Sequence, residues 1–122
     1  MIQNVEHQKL VDALLLHIGG LPQVRLWPRI VGLATPWGME HPLQFGNNGE
    51  TDLDGILAPF GRRLAIEVKT GKSYLSKDQI RWRKMIERFG GLYIEARNVH
   101  EPFEIVNRYL QSVGFPCQSL DK

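Results

Sequence analysis

Two apolar segments meet at the turn signal Pro59-Phe60-Gly61, and this pair constrains the fold more than any other feature of the chain. Residues 51–58 and 63–69 both have the composition of strands, and a short connection that contains glycine is typical of a β-hairpin. The second segment holds the apolar run Leu64-Ala65-Ile66 and is predicted to be a central, largely buried strand. The core is therefore predicted to form around one hairpin.

Helical and strand patterns flank this hairpin on both sides. Residues 4–17 carry apolar side chains at i, i+3, i+4 and i+7, which is typical of an amphipathic helix. Pro28 confines the segment 24–33 to an edge or a bent strand, and residues 34–50 are predicted to form a long loop. The other predicted elements are a short strand at 43–45, a helix at 76–89, a strand at 92–96 and a helix at 102–113. The result is one α/β domain, residues 1–122, with the order α-β-β-β-α-β, a mixed central sheet flanked by helices, and an extra C-terminal helix.

Composition fits a single small domain and argues against several classes of protein. At 122 residues there is little room for a second core, and no apolar run approaches the ~18–20 residues that a membrane span needs. Cys117 is the only cysteine, so no internal disulfide can form and a cytoplasmic setting is expected. The histidines are scattered without ligand spacing, which argues against a zinc site.

Basic residues are concentrated in one part of the chain. The net charge of +2 is too small to indicate a polyanionic partner. Residues 62–88, however, contain nine basic and three acidic residues, an excess of six around the second predicted strand. Such an excess attracts nucleic acid, although a solvated helix face is the more common reason for it.

Side-chain alternation along the hairpin predicts a cluster of charged groups. It places Asp52 and Asp54 on one face of the first strand, and Glu67 and Lys69 on one face of the second. Carboxylates are the ligands that Mg²⁺ and Mn²⁺ prefer, and a bound metal activates water for attack on phosphorus. Lys69 would orient that water or neutralise developing charge. The alternative is a cross-strand ion pair, but charges on so apolar a strand are costly unless they are paired or bound to metal.

These residues resemble the core motif of the PD-(D/E)xK nuclease superfamily, and more closely that of its VRR-NUC family. The order and spacing of the short motifs are more specific than any one of them. The chain departs from the family pattern in having threonine rather than proline before the first aspartate, aspartate at the usually apolar position 54, and a longer segment at 34–48. The matching stretches are Gly49-Glu50-Thr51-Asp52, Ala65-Ile66-Glu67-Val68-Lys69-Thr70-Gly71, Leu75-Ser76-Lys77-Asp78-Gln79 with Trp82, and Gly90-Gly91-Leu92-Tyr93.

The resemblance implies roles for the clustered residues. Asp52 and Glu67, with the backbone carbonyl of Val68, would bind Mg²⁺ or Mn²⁺. Lys69 would be the catalytic lysine. Asp54 stays open as an additional ligand, or as the ligand in place of Asp52 if the hairpin pairs in another register.

Two further site residues have structural alternatives. Superfamily members often add a glutamate from the first helix, and Glu6 is the candidate, although an acid in a first helical turn also favours the helix dipole. Gln79 would lie near the scissile phosphate. It also stands at the third position of a helix that Ser76 caps, where it completes a capping box. The two roles of Gln79 are compatible.

The implied protein is a metal-dependent DNA endonuclease. Standalone VRR-NUC proteins resemble Holliday junction resolvases, which act as symmetric dimers. We therefore expect a homodimer, of bacterial or phage origin, that cleaves branched DNA and prefers four-way junctions. The alternatives are a non-catalytic DNA-binding module with the same fold, or a flap, single-strand or restriction-like nuclease of the same superfamily.

Several residues outside the metal cluster are candidates for contact with DNA. Tyr74 is suited to stacking on a base, whereas Trp82, in the middle of a predicted helix, is more consistent with core packing. Three residues of the long loop are further candidates, with burial against the domain as the alternative: Trp37, His41 and Phe45. The candidates for nucleic-acid binding are Lys72, Tyr74, Lys77 and Arg81.

Overall fold

The computed structural model describes residues 4–29, 32–34, 43–45 and 48–120, and it describes side chains within 4–29 and 48–120. These residues form a mixed α/β fold with a four-stranded mixed sheet, a separate two-stranded sheet and three helices. The predicted α/β class, with a mixed sheet flanked by helices, is confirmed. The elements are α1 (Val5–His17), β1 (Val24–Pro28), β2 (Gly32–Ala34), β3 (Leu43–Phe45), β4 (Leu53–Leu57), β5 (Arg62–Val68), α2 (Lys77–Arg88), β6 (Leu92–Ala96) and α3 (His100–Ser112).

The predicted hairpin forms the centre of the larger sheet. Strand order is β1-β4-β5-β6, in which β4 is antiparallel to both β1 and β5, and β6 is parallel to β5. In the hairpin Leu53 lies opposite Ile66 and Leu57 lies opposite Arg62. Gly61 closes the turn with a φ of 72°, a conformation that favours glycine. The hairpin register therefore brings the start of β4 beside the end of β5.

Strand β1 is shorter than predicted and lies at the sheet edge. It ends at Pro28, and the residues that follow contribute instead to β2, which pairs with β3. Proline has no backbone amide to continue a ladder, which agrees with a strand end at an edge. Much of the predicted loop at 34–50, including Trp37 and His41, lies outside the described residues. The side chain of Phe45 also lies outside the described part of the chain.

The two faces of the larger sheet carry different helices. On one face Ile66 and Val68 belong to the main core with Leu14 of α1 and Val106 of α3, and all four are nearly or fully buried. On the other face Ala65 packs with Ile86 of α2 and with Tyr93 of β6. Side chains two residues apart on a strand share a face. Glu67 therefore lies on the same face as Ala65, next to α2.

Side-chain caps mark the start of α1 and α2, whereas α3 begins without one. The side chain of Asn4 accepts a hydrogen bond from the amide of His7 and caps α1. Helix α3 begins at His100, two residues before the predicted start. None of the described helices is long and apolar enough to cross a membrane.

Candidate active site

Glu67 is a buried carboxylate at the centre of the candidate site. It lies near the end of β5, and its side chain is only 5% exposed. Its Oε2 accepts a hydrogen bond from Nε2 of Gln79 at 2.9 Å and lies 3.6 Å from Nζ of Lys69. Its Oε1 is buried and has no hydrogen-bond partner. Burial, followed by the negative charge of Asp52, raises the pKa of Glu67 to about 7, against the opposing effect of Lys69.

Asp52 lies beside Glu67, and the protein contacts one of its two carboxylate oxygens. It immediately precedes β4, and the hairpin register places it next to Glu67 at the end opposite the turn. Its Oδ2 accepts a hydrogen bond from the amide of Val68 at 2.9 Å and lies 3.4 Å from Nε2 of His7. The side chain remains 30% exposed, so this carboxylate is accessible from solvent.

Val68 and Lys69 contribute different groups to the site. The side chain of Val68 is buried in the main core, so only its backbone is available on the side of Asp52. The amide of Lys69 donates to the carbonyl of Ala96, which fixes the chain as it leaves the sheet. The lysine side chain is 14% exposed and directs its ammonium group to Glu67. The structure thus brings Asp52, Glu67 and Lys69 together, as the sequence pattern requires.

Gln79 links the site to helix α2 in two ways. Its Oε1 accepts from the amide of Ser76, and its own amide donates to the hydroxyl of Ser76, which completes the predicted capping box. Its Nε2 donates to Glu67. One side chain therefore stabilises the start of α2 and fixes one oxygen of a buried carboxylate.

Gly49 allows the segment before β4 to approach α2 closely. Its φ is +83°, and a Cβ atom on this residue would lie 2.3 Å from the carbonyl oxygen of Asp78. Any other residue would therefore combine an unfavourable backbone conformation with a collision against the first turn of α2. The glycine keeps the segment that carries Asp52 next to the helix that carries Gln79.

Arg29, which the sequence did not single out, holds the same segment from the other side. It follows β1, and its side chain is 15% exposed. The guanidinium donates to the carbonyl oxygens of Glu50 and Thr51, and the amide of Arg29 donates to the carbonyl of Asp52. Its partners lie 21 and 22 residues away in the sequence, so no local sequence pattern predicts these hydrogen bonds.

Asp54, two residues along the chain from Asp52, forms an ion pair across the hairpin. It is 6% exposed, and its Oδ1 accepts from the guanidinium of Arg63 at 2.7 Å and from the hydroxyl of Thr51 at 3.2 Å. The observed register aligns Asp52, rather than Asp54, with Glu67. The geometry favours Asp52 as the ligand.

Helix α1 directs His7 and Glu6 to different places. His7 contacts Asp52, whereas Glu6 is exposed and lines a cleft of about 500 Å³ that Lys69 and Arg97 also line. Adjacent residues on a helix are separated by about 100° around its axis, so a one-residue difference decides which side chain meets the aspartate. Glu6 lies near the site, and His7 is a contact that the sequence did not predict.

The candidate DNA-binding residues are exposed. Tyr74 is 80% exposed, with the guanidinium of Arg97 5.8 Å from its ring centre. Lys72 and Lys77 are exposed, and Arg81 forms an exposed ion pair with Asp78. Trp82 packs against the smaller core cluster, as predicted. Tyr93 is buried beneath the same helix, and burial, then the charge of Glu67, raises the pKa of its phenol above the usual range.

Arg97 and Glu95 are two further residues that the sequence did not single out. Glu95 lies opposite Glu67 in the parallel pair of strands, and its carboxylate binds Arg97 at 2.8 Å. Arg97 also donates to the carbonyl oxygens of Gly71 and Ser73. The arginine therefore fixes the turn that follows Lys69.

The two carboxylates, Asp52 and Glu67, suit a divalent cation that takes few protein ligands. Among the described residues, no group of three or more His, Cys, Asp and Glu side chains is arranged to hold a metal. Mg²⁺ commonly takes only one or two protein carboxylates and retains water. The buried Oε1 of Glu67 without a partner, next to the accessible Asp52, provides such a set. A metal cation or a hydrogen-bond donor would satisfy a buried carboxylate oxygen of this kind.

Comparison with known proteins adds no assignment: the chain matches no protein-family model and no curated protein.

Proposed function

We propose that the chain is a metal-dependent endonuclease that hydrolyses phosphodiester bonds in DNA, with Mg²⁺ or Mn²⁺ as cofactor. The observation that carries this proposal is the bonding of Glu67. This carboxylate is almost completely buried and has its Oε2 fixed by Gln79 and Lys69, while its Oε1 has no partner. A structural ion pair would not leave a buried oxygen without a partner, because an unsatisfied buried oxygen destabilises the fold.

Each residue of the site has a role in this proposal. Asp52 and Glu67, together with the carbonyl of Val68, would hold the metal. When bound there, the metal would supply a water of lowered pKa and would stabilise negative charge on the phosphate oxygens. Lys69 acts as a cation rather than as a base, because its ammonium group lies beside the carboxylate of Glu67.

Gln79 and His7 position the carboxylates rather than react. Gln79 donates to Oε2 of Glu67, which leaves Oε1 for the metal. His7 and the amide of Val68 both lie against Oδ2 of Asp52, which leaves Oδ1. The two carboxylates thus each keep one oxygen free of a described partner at the end of the hairpin.

The finer assignments rest on the resemblance to the VRR-NUC family. They are a restriction-endonuclease-like core, branched DNA with four-way junctions preferred, a homodimer, and a cytoplasmic protein of bacterial or phage origin. Exposed basic residues beside the site, Lys72 and Lys77 among them, support a DNA substrate. The homodimer follows because a domain of this size covers one cut site, whereas a four-way junction presents two.

Cleavage assays test the proposal directly. Four-way junctions, flaps and linear duplexes are incubated with Mg²⁺ or Mn²⁺ and the wild-type protein, Lys69→Ala or Lys84→Ala. Lys84 is an exposed lysine in the second half of α2 and provides a matched control. We expect metal-dependent cleavage, fastest on the four-way junction, that Lys69→Ala abolishes and Lys84→Ala retains.

Two outcomes would contradict this assignment. Equal cleavage by the wild-type protein and Lys69→Ala would reject the active site. Metal-independent DNA binding without cleavage of any substrate would show the non-catalytic module instead, with an affinity that falls steeply as salt increases.

A further inference from the structure

A cleft adjoins the candidate active site on the side of helix α1. It has a volume of about 500 Å³ and lies between α1 and the turn that follows β5. Lys69 lines it together with Thr70 and Gly71 of the turn. Lys69 also contacts Glu67, so this lysine belongs both to the cleft and to the carboxylate site.

The cleft is basic. Three cations line it, Lys9, Lys69 and Arg97, against the single acid Glu6. Within the described part of the chain, the ammonium group of Lys9 forms no hydrogen bond or ion pair. Lys69 and Arg97 are both held by carboxylates, so Lys9 is the cation available to a ligand.

Both walls of the cleft are fixed by hydrogen bonds. Arg97 holds the turn through the carbonyl oxygens of Gly71 and Ser73. The side-chain amide of Asn4, at the start of α1, donates to Oγ1 of Thr70 at 3.3 Å. The hydroxyl of Thr70 keeps its own hydrogen for a further acceptor. The cleft thus presents a preorganised hydroxyl donor and a free ammonium group.

We propose that this cleft binds a backbone phosphate of the DNA strand next to the phosphate that is cleaved. Lysine ammonium and threonine hydroxyl groups are typical donors to phosphate oxygens. The inference rests on the proposed nuclease function, because it takes the cleft and the carboxylate site as parts of one strand path. That path runs from Lys9, past Lys69, to the exposed Lys72.

DNA binding without cleavage tests this subsite. The affinity of a fluorescent four-way junction is measured in EDTA over a series of KCl concentrations, for the wild-type protein, Lys9→Ala, Lys9→Arg and Lys84→Ala. Each phosphate contact contributes about one to the slope of log affinity against log salt. We expect Lys9→Ala to reduce the slope by about one and the affinity by about three- to tenfold. Lys9→Arg and Lys84→Ala should have the same slope and the same affinity as the wild-type protein.

The controls separate this inference from the nuclease proposal. Thermal unfolding shows whether each variant is folded, and Lys9 is exposed, so its replacement should leave the fold intact. Equal slopes for Lys9→Ala and the wild-type protein overturn the subsite, even if cleavage depends on Lys69. A reduced slope supports the subsite, even if the protein cleaves no substrate. Binding of inorganic phosphate to the cleft with an unchanged DNA slope would show a free-anion site and overturn the proposal.

Discussion

Two carboxylates of the hairpin, Asp54 on β4 and Glu67 on β5, differ in their bonding. Arg63, near the start of β5, forms an ion pair at 2.7 Å with Asp54 of β4, and Thr51 donates to the same carboxylate oxygen. At the opposite end, Lys69 lies 3.6 Å from Glu67, and one oxygen of this glutamate has no partner. Both carboxylates are buried and both lie on the face of the sheet next to α2.

This difference separates a structural ion pair from a candidate reactive site. The carboxylate of Asp54 is matched by a guanidinium group, so nothing further is needed there. The carboxylate of Glu67 is buried at a cost in free energy that its described partners only partly offset. Incomplete bonding at a buried group is the feature expected where a ligand binds.

The largest expected effect comes from exchanging each of these two carboxylates for an amide. Glu67→Gln keeps the shape of the side chain but removes the proposed metal ligand and the charge partner of Lys69, so we expect cleavage to fall about a thousandfold. Asp54→Asn should leave the cleavage rate of the folded protein unchanged and reduce the free energy of unfolding by about 1 kcal/mol. Single-turnover cleavage and urea unfolding measure the two quantities.

The reverse pattern would break the comparison. If Asp54→Asn abolished cleavage while Glu67→Gln retained it, the reactive carboxylate would have been assigned to the wrong residue. A binding titration with Mn²⁺ provides an independent check, because only Glu67→Gln should reduce the affinity for Mn²⁺.

A second prediction compares two glycines with positive φ. Gly49→Ala introduces a Cβ that would lie 2.3 Å from a backbone oxygen of α2, whereas a Cβ on Gly61 has open space around it. We expect Gly49→Ala to reduce the free energy of unfolding by about 2–4 kcal/mol, because the strain of positive φ adds to the collision. Gly61→Ala should cost about 1 kcal/mol from backbone strain alone. Equal losses in urea unfolding would contradict the close approach at Gly49.

Local signals in the sequence predicted much of the fold. The turn at Gly61, the apolar run before Glu67 and the capping box of Ser76 and Gln79 are each encoded within a few residues, and the structure contains all three. Such signals depend on backbone preference and side-chain alternation, which are properties of short segments. They located the hairpin and the start of α2.

The contacts that complete the site could not be predicted in this way. Arg29 binds carbonyl oxygens more than twenty residues away, and Asp54 meets Arg63 only because the hairpin pairs in one register. Whether Glu6 or His7 meets Asp52 depends on the rotation of α1 on the sheet, which no single segment determines. Tertiary packing determines these contacts, and local sequence patterns carry no information about that packing.

A third prediction uses the raised pKa of Glu67. In the folded protein this pKa is about 7, against an ordinary value of 4.5, so between these values the folded state binds more protons than the unfolded state. The contribution of Glu67 to stability is fully present below pH 4.5 and is lost as the pH rises through 7. The stability of Glu67→Gln relative to the wild-type protein should therefore increase across this window, by on the order of 1–3 kcal/mol.

Urea unfolding in EDTA, from below pH 4.5 to above pH 7, measures that change. If the difference in the free energy of unfolding between Glu67→Gln and the wild-type protein does not vary with pH, burial does not raise the pKa of Glu67. Added Mg²⁺ should reduce the increase, because a metal stabilises the ionised carboxylate. The same addition should have no effect on Asp54→Asn relative to the wild-type protein.

The smallest expected effect separates the two roles of Gln79. Ser76→Ala removes the hydroxyl that caps α2 but leaves the hydrogen bond from Gln79 to Glu67, so we expect a loss of about 1 kcal/mol of stability with unchanged affinity for Mn²⁺. Gln79→Ala removes the capping box and frees Oε2 of Glu67, so it should reduce both quantities. Should Ser76→Ala weaken Mn²⁺ binding as much as Gln79→Ala, the helix start alone would position the site, and the direct contact with Glu67 would have no separate role.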